Sequence, residues 1–284
     1  MKIKKLFFLI IILLTLTGCE NKEENLNDKA KSEIDFLSTR FISIINKLNN
    51  ITFEDYKVIS EEVELSKESA NEKESKDSSS SQNEKSEKVE KSSESNSVKS
   101  MQISPNTILT PATTEIDWKA IKNDIENIYY SWNTILLDLY QLNIKNDDIL
   151  GFSSSLDKAT INIKNEDKTN SILAISDLYS FLPRYADTIY SDETNKNIIK
   201  TKDFILKSYS LVETFDWNNA KSEVIKALEA FKFVTGDLNY TKDNNYKVNK
   251  CYVLLNELEN SMDLKDKDIY YIKYKNLLEE LVML

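Results

Sequence analysis

An all-α antiparallel bundle of about six to eight helices, interrupted by a long disordered low-complexity segment, is the fold this 284-residue sequence predicts. Three observations predict it. Apolar residues recur three and four apart over most of the chain, the period of a helix with one buried face. Alternating apolar and polar runs, which a half-buried strand requires, are nearly absent. Asn-, Asp- and Lys-rich gaps of two to eight residues separate the helical runs, lengths that suit antiparallel neighbours.

The elements follow in order. Residues 23–64 form an amphipathic segment in which Ile34, Leu37, Phe41, Ile44 and Leu48 make one stripe. A shorter piece carries Phe53, Tyr56, Val58, Ile59 and Val63. A single striped helix has little stability alone, so this segment is expected to dock on the C-terminal domain or on another protein. Residues 66–100 are low-complexity: of 35 residues, 13 are Ser, 7 Lys and 8 Asp or Glu. Such a tract buries too little apolar surface to offset the entropy of ordering. A disordered linker is therefore expected over 65–113, reaching through Pro105 and Pro111, with a span of about 30 Å for 35 coil residues.

Residues 114–284 read as a helical bundle domain. Thr114, with Asp117 three later, resembles a capping box. The first helix sets Trp118, Ile121, Ile125, Ile128, Trp132, Ile135, Leu139 and Leu142 on a three–four repeat. Further helices are expected near 147–163, 167–190, 193–214, 217–235, 244–262 and 266–283. Pro183 should kink or break the third. Asp192 and Asp216 should cap the fourth and fifth, and Gly236 should stop the fifth. Asp117-Trp118 and Asp216-Trp217 open two helices 99 residues apart, with matching apolar positions behind them. Chance alignment of two capped amphipathic helices is the favoured account, and a duplicated helical hairpin is the alternative.

Composition removes several chemistries. There is no histidine, hence no Ser-His-Asp or Cys-His nucleophile and no histidine zinc site. The three glycines, Gly18, Gly151 and Gly236, are too scattered for a phosphate-cradling loop. Cys251 lies on an apolar stripe and reads as a small buried hydrophobe. The chain carries 37 basic and 47 acidic residues, a balance that argues against nucleic acid.

The N-terminus points to an address. Met1 to Lys5 is positively charged, Leu6 to Leu16 is almost unbroken apolar sequence, and Leu16-Thr17-Gly18-Cys19 closes it. That is the layout of a secretory signal, too short for a spanning helix. The closing motif resembles the lipobox of bacterial lipoproteins. The resemblance covers the first twenty or so residues. It implies a signal peptide over 1–18, cleavage between Gly18 and Cys19, and a lipidated anchor over 19–22. It also implies a diacylglycerol thioether on Cys19, acylation of the new amine, and a location on the outer face of the cell membrane. Two or more acyl chains anchor stably where one holds marginally. Loss of Lys2, Lys4 and Lys5 with the signal leaves 34 basic residues against 47 acidic ones.

Candidate sites are weak. Leu178 to Tyr185 is apolar around most of its circumference and holds Pro183 and one of the two arginines. A proline kink frees a carbonyl, so Tyr179, Pro183, Arg184 and Tyr185 are the candidate pocket. Asp263, Asp266 and Asp268 lack the order of a calcium loop and read as a solvated helix start. Asp147-Asp148 reads as a cap and first-turn charge. In Tyr129-Tyr130 and Tyr270-Tyr271, one ring of each pair should point outward. No catalytic residue, metal or cofactor is expected. The leading expectation is a non-enzymatic surface lipoprotein that binds a protein or cell-wall partner, with the membrane as its other partner. A solute- or metal-binding lipoprotein is the first alternative. Imelysin-like lipoproteins are such bundles, but their metal motif uses histidine, so that chemistry does not carry over. A carboxylate-based wall hydrolase is the second.

Overall fold

The computed structural model describes the backbone of residues 2–52 and 112–284, and the side chains of 25–50 and 114–284. The apolar piece around Phe53 to Val63 and the low-complexity tract lie outside the described residues. So do the side chains of Gly18 and Cys19. The chain divides into two compact units. One comprises residues 1–50 and 115–284. The other, 51–114, is described only at its ends, where Ile51–Thr52 and Ala112–Thr113 pair antiparallel, Ile51 opposite Thr113.

The larger unit is all helix, as the periodicity requires. Helix α1 spans Lys2–Asn49. Between 118 and 282 come α2 (Trp118–Gln141), α3 (Asn146–Lys164), α4 (Lys168–Tyr179), α5 (Leu182–Ile189), α6 (Glu193–Glu213), α7 (Trp217–Gly236), α8 (Leu238–Ser261) and α9 (Lys267–Val282). Eight helices in this stretch match the expected bundle. Among the described residues, no helix is long and apolar enough to cross a membrane.

Helix α1 docks on α2, α4 and α5. Its stripe, Ile34, Leu37, Phe41, Ile44 and Leu48, is wholly buried. At about 25 cal/mol per Å² of apolar area, burying each such side chain contributes roughly 1.5–3 kcal/mol. Polar contacts then fix the register. The Ser38 and Tyr179 hydroxyls bond at 2.8 Å in the core. Lys29 pairs with Asp138, while Arg40 and Lys47 pair with Asp124. Helix α6 is the hub, packing on α4, α5, α7 and α9. It is therefore buried on most sides, from Ile198 to Val212. Aromatic rings fill the two ends of the core. Trp132 stacks on Phe152 at 4.0 Å between centroids, and Tyr209 on Tyr274 at 4.6 Å. Gly151 lets the Phe181 ring approach, since a Cβ there would meet it at 3.0 Å.

Asp117, Asp167, Asp192, Asp216, Asp237 and Asp266 each accept a backbone N–H at the start of a helix. Capping of this kind is typically worth about 1 kcal/mol. Several boundaries differ from expectation. Asp117, not Thr114, is the cap of α2, because its own carboxylate reaches the Ala120 N–H at 2.9 Å. Helix α3 starts behind Lys145 without a side-chain cap, so Asp147 and Asp148 stand in its first turn rather than capping it. The break near Pro183 falls at Ser180 and Phe181, which puts the proline in the first turn of α5, where its missing N–H costs nothing. Helix α8 begins at Leu238 rather than near 244. Asp237 ends α7 and caps α8 at once, and the expected loop survives only as a kink at Asn244 (φ −117°, ψ 19°). Gly236 closes α7, as expected, but without a left-handed φ. Left-handed positions fall instead to Asn50, Asn143, Glu166, Phe215 and Lys265.

Candidate functional site

The stretch expected to form a pocket is core. Tyr179 and Tyr185 are fully buried and Pro183 is buried with them. The Tyr185 hydroxyl donates to the Asp148 carbonyl at 3.1 Å. Arg184 stands at the surface, stacked 4.9 Å over Phe181 and bonded to Asp148 at 2.9 Å. Because the helix stops before Pro183, no kink opens there for a ligand. The other candidates sort similarly. Tyr130 points outward, 80% exposed, but Tyr271 is buried, its hydroxyl bonded to Glu213. Both rings of the second pair are buried because α9 packs on α6 as well as α8. Asp263 pairs with Lys221, and Asp266 caps α9. Cys251 is fully buried and burial pushes its thiol up to about 12, so it is no nucleophile.

One pair of acids stands out structurally. Burial, and then the neighbouring Asp138, push the Glu33 carboxyl up to about 7, against the opposing pull of Lys29. Lys29 binds both carboxylates. This cluster joins α1 to α2, and neither acid lines the cavity described next.

That cavity, of about 550 Å³, lies between α1, α6, the residue after α5 and the last three residues. Each wall follows from helical spacing. On α1, Lys31, Asp35, Ser38 and Ile42 fall four, three and four apart, with Thr39 beside them, on a stripe next to the docked one. On α6, Asn195, Ile198, Ile199 and Lys202 fall on one face. Tyr190 ends α5, and its hydroxyl reaches back to α1, donating to Asp35 Oδ1 at 3.2 Å and facing the Lys31 carbonyl at 3.4 Å. Val282, Met283 and Leu284 close the remaining side. They are held by Lys247 on the Met283 carbonyl and by the Tyr240 hydroxyl on Leu284 O.

Charge inside is uneven. Lys31 is paired with Asp28 at 2.9 Å. Lys202 makes no hydrogen bond or ion pair among the described residues, though it feels the charge of Asp35 and sits near Cys251. Burial is the main cause that lowers its ammonium below the ordinary lysine value. Asp35 keeps one oxygen on Tyr190 and makes no ion pair with Lys202. A hollow of this size, lined by aliphatic and polar side chains in similar measure, is large enough for a small molecule. Sequence reasoning missed it because the walls come from residues 31–42, 190–202 and 282–284; a lone lysine on the α6 stripe was the only signal. Family models, curated proteins and solved structures provide no match to this chain.

Proposed function

We propose that this chain is a lipid-anchored, extracytoplasmic binding lipoprotein whose helical body takes a small polar solute into the cavity between α1 and α6. The observation that carries the solute reading is Lys202, a half-buried lysine that lines the cavity without a hydrogen-bonding partner among the described residues. Desolvating a charge without pairing it is costly, and a ligand that pairs it recovers that cost. The lipobox Leu16-Thr17-Gly18-Cys19 supports the anchor.

Two experiments test the two halves. Cells given labelled palmitate should label the wild-type chain in the membrane fraction, and Cys19→Ser should lose the label; labelled Cys19→Ser would overturn the anchor. Thermal melts of the full chain in detergent, run across polar solutes, should show a shift of roughly 5–10 °C for a ligand at 100 times its Kd. Ile198→Trp, which fills the cavity, should remove the shift. A shift that survives this variant, or a flat panel over a cooperative melt, overturns the solute reading. A second reading, a protein partner, has the outward stripe Tyr130, Leu137 and Tyr140 on α2 in its favour. It predicts crosslinking to one membrane or wall protein on intact cells, lost on Tyr130→Glu.

A further inference from the structure

The charges of the cavity narrow the class of solute. Lys31 is already neutralised by Asp28. What remains is one ammonium on α6 and one carboxylate on α1, coupled through space but not in ion-pair contact. Among the lining side chains the cavity thus offers one ammonium and, on the exposed Asp35, one carboxylate. A net anion would gain Lys202 and meet Asp35, within a chain that carries ten more acidic than basic residues. A net cation would gain Asp35 and meet Lys202. A solute carrying both charges satisfies both groups and adds no net charge. Around these two ends the lining is mixed: Ile42, Ile198, Ile199 and Val282 offer apolar surface, and Ser38, Thr39, Tyr190 and Asn195 offer polar groups.

Resting on the solute-binding reading above, we infer that the ligand is a zwitterion of amino-acid or short-peptide size, its carboxylate on Lys202 and its ammonium on Asp35. The cavity volume, about 550 Å³, accommodates a dipeptide as well as a single residue. Ser38 and Thr39, on the same helix as Asp35, also line the cavity. Ser38 already shares its hydroxyl with Tyr179, so the cavity wall is tied to the core behind it.

The test uses the full chain in detergent and calorimetric titration with leucine, Leu-Leu, N-acetyl-leucine and leucine amide. Leucine or Leu-Leu should bind at least about tenfold more tightly than either single-charge analogue, since each charged hydrogen bond lost costs about that factor or more. Lys202→Met should weaken leucine and leave leucine amide unchanged. Asp35→Asn should weaken leucine and leave N-acetyl-leucine unchanged. Both variants must keep the wild-type melting temperature within a few degrees, and Lys202→Arg, which keeps the charge, should retain part of the affinity. N-acetyl-leucine binding as well as leucine would overturn the zwitterion in favour of a simple anion site. Silence from all four probes, with another solute shifting the melt in an Ile198-dependent way, would overturn the ligand class and leave the solute reading standing. Silence throughout would sink both.

Discussion

Tyr179 shows how a single side chain can be placed rightly in the interior and wrongly in role. Its ring is wholly buried and its hydroxyl joins Ser38 across the α1–α4 contact. Tyr179→Phe should destabilise the chain by about 1–2 kcal/mol by stranding the buried Ser38 hydroxyl, read as a lower urea midpoint at unchanged slope. Glu33 gives a second prediction. Its proton is held more tightly folded (about 7) than at the ordinary carboxyl value of 4.5. Its contribution is therefore complete below about pH 4.5 and is lost as pH rises through 7. Glu33→Gln, measured against wild type from pH 4.5 to 8, should remove that part of the slope. Parallel curves for the two chains would refute the assignment.

At the level of the helix, apolar spacing and aspartate caps were legible in the residues themselves. The stripe of α1 is buried as read, that of α2 is buried from Ile121 to Leu139 with Trp118 and Leu142 half-buried at its ends, and Asp192 and Asp216 cap as spacing and type suggest. Illegible features depended on contacts between helices. Leu238 to Asp243 looks like loop because its polarity hides the Asp237 cap, and Tyr271 looks outward until α6 is placed beside α9. Tyr179 and Tyr185, named as pocket residues, are apolar enough to be core, and both are buried. The helix ends offer a prediction. Lys265 adopts a left-handed φ of 51° after the short helix that follows α8, a conformation glycine adopts without a Cβ penalty. Lys265→Gly should raise stability by up to about 1 kcal/mol, seen as a higher thermal midpoint, offset in part by the extra freedom of the unfolded glycine.

For the molecule as a whole, the N-terminal helix is a structural part of the C-terminal bundle, although some sixty residues separate them in sequence. The buried stripe of α1, with Phe41 against Phe152 and Tyr179, holds by packing rather than by chain connection. A protease site engineered between Ser80 and Ser81 should allow complete cleavage without separation. The two fragments should co-elute on size exclusion and part only in denaturant. Phe41→Ala, which removes roughly 3–5 kcal/mol of core packing, should let them part at far lower denaturant. Fragments that separate on cutting would show that α1 needs its covalent link.

The same arrangement sets an order of assembly. The ribosome adds about 5–20 residues per second, and α1 ends at Asn49 while its last docking partner, α5, ends at Ile189. For roughly seven to thirty seconds after it is made, α1 has no complete site to occupy. Its stripe of Ile34, Leu37, Phe41, Ile44 and Leu48 is bare throughout that interval. The nascent chain therefore carries a sticky helix that only its own later sequence can cover, and synthesis stalled before Ile189 leaves it open to holding chaperones and to aggregation.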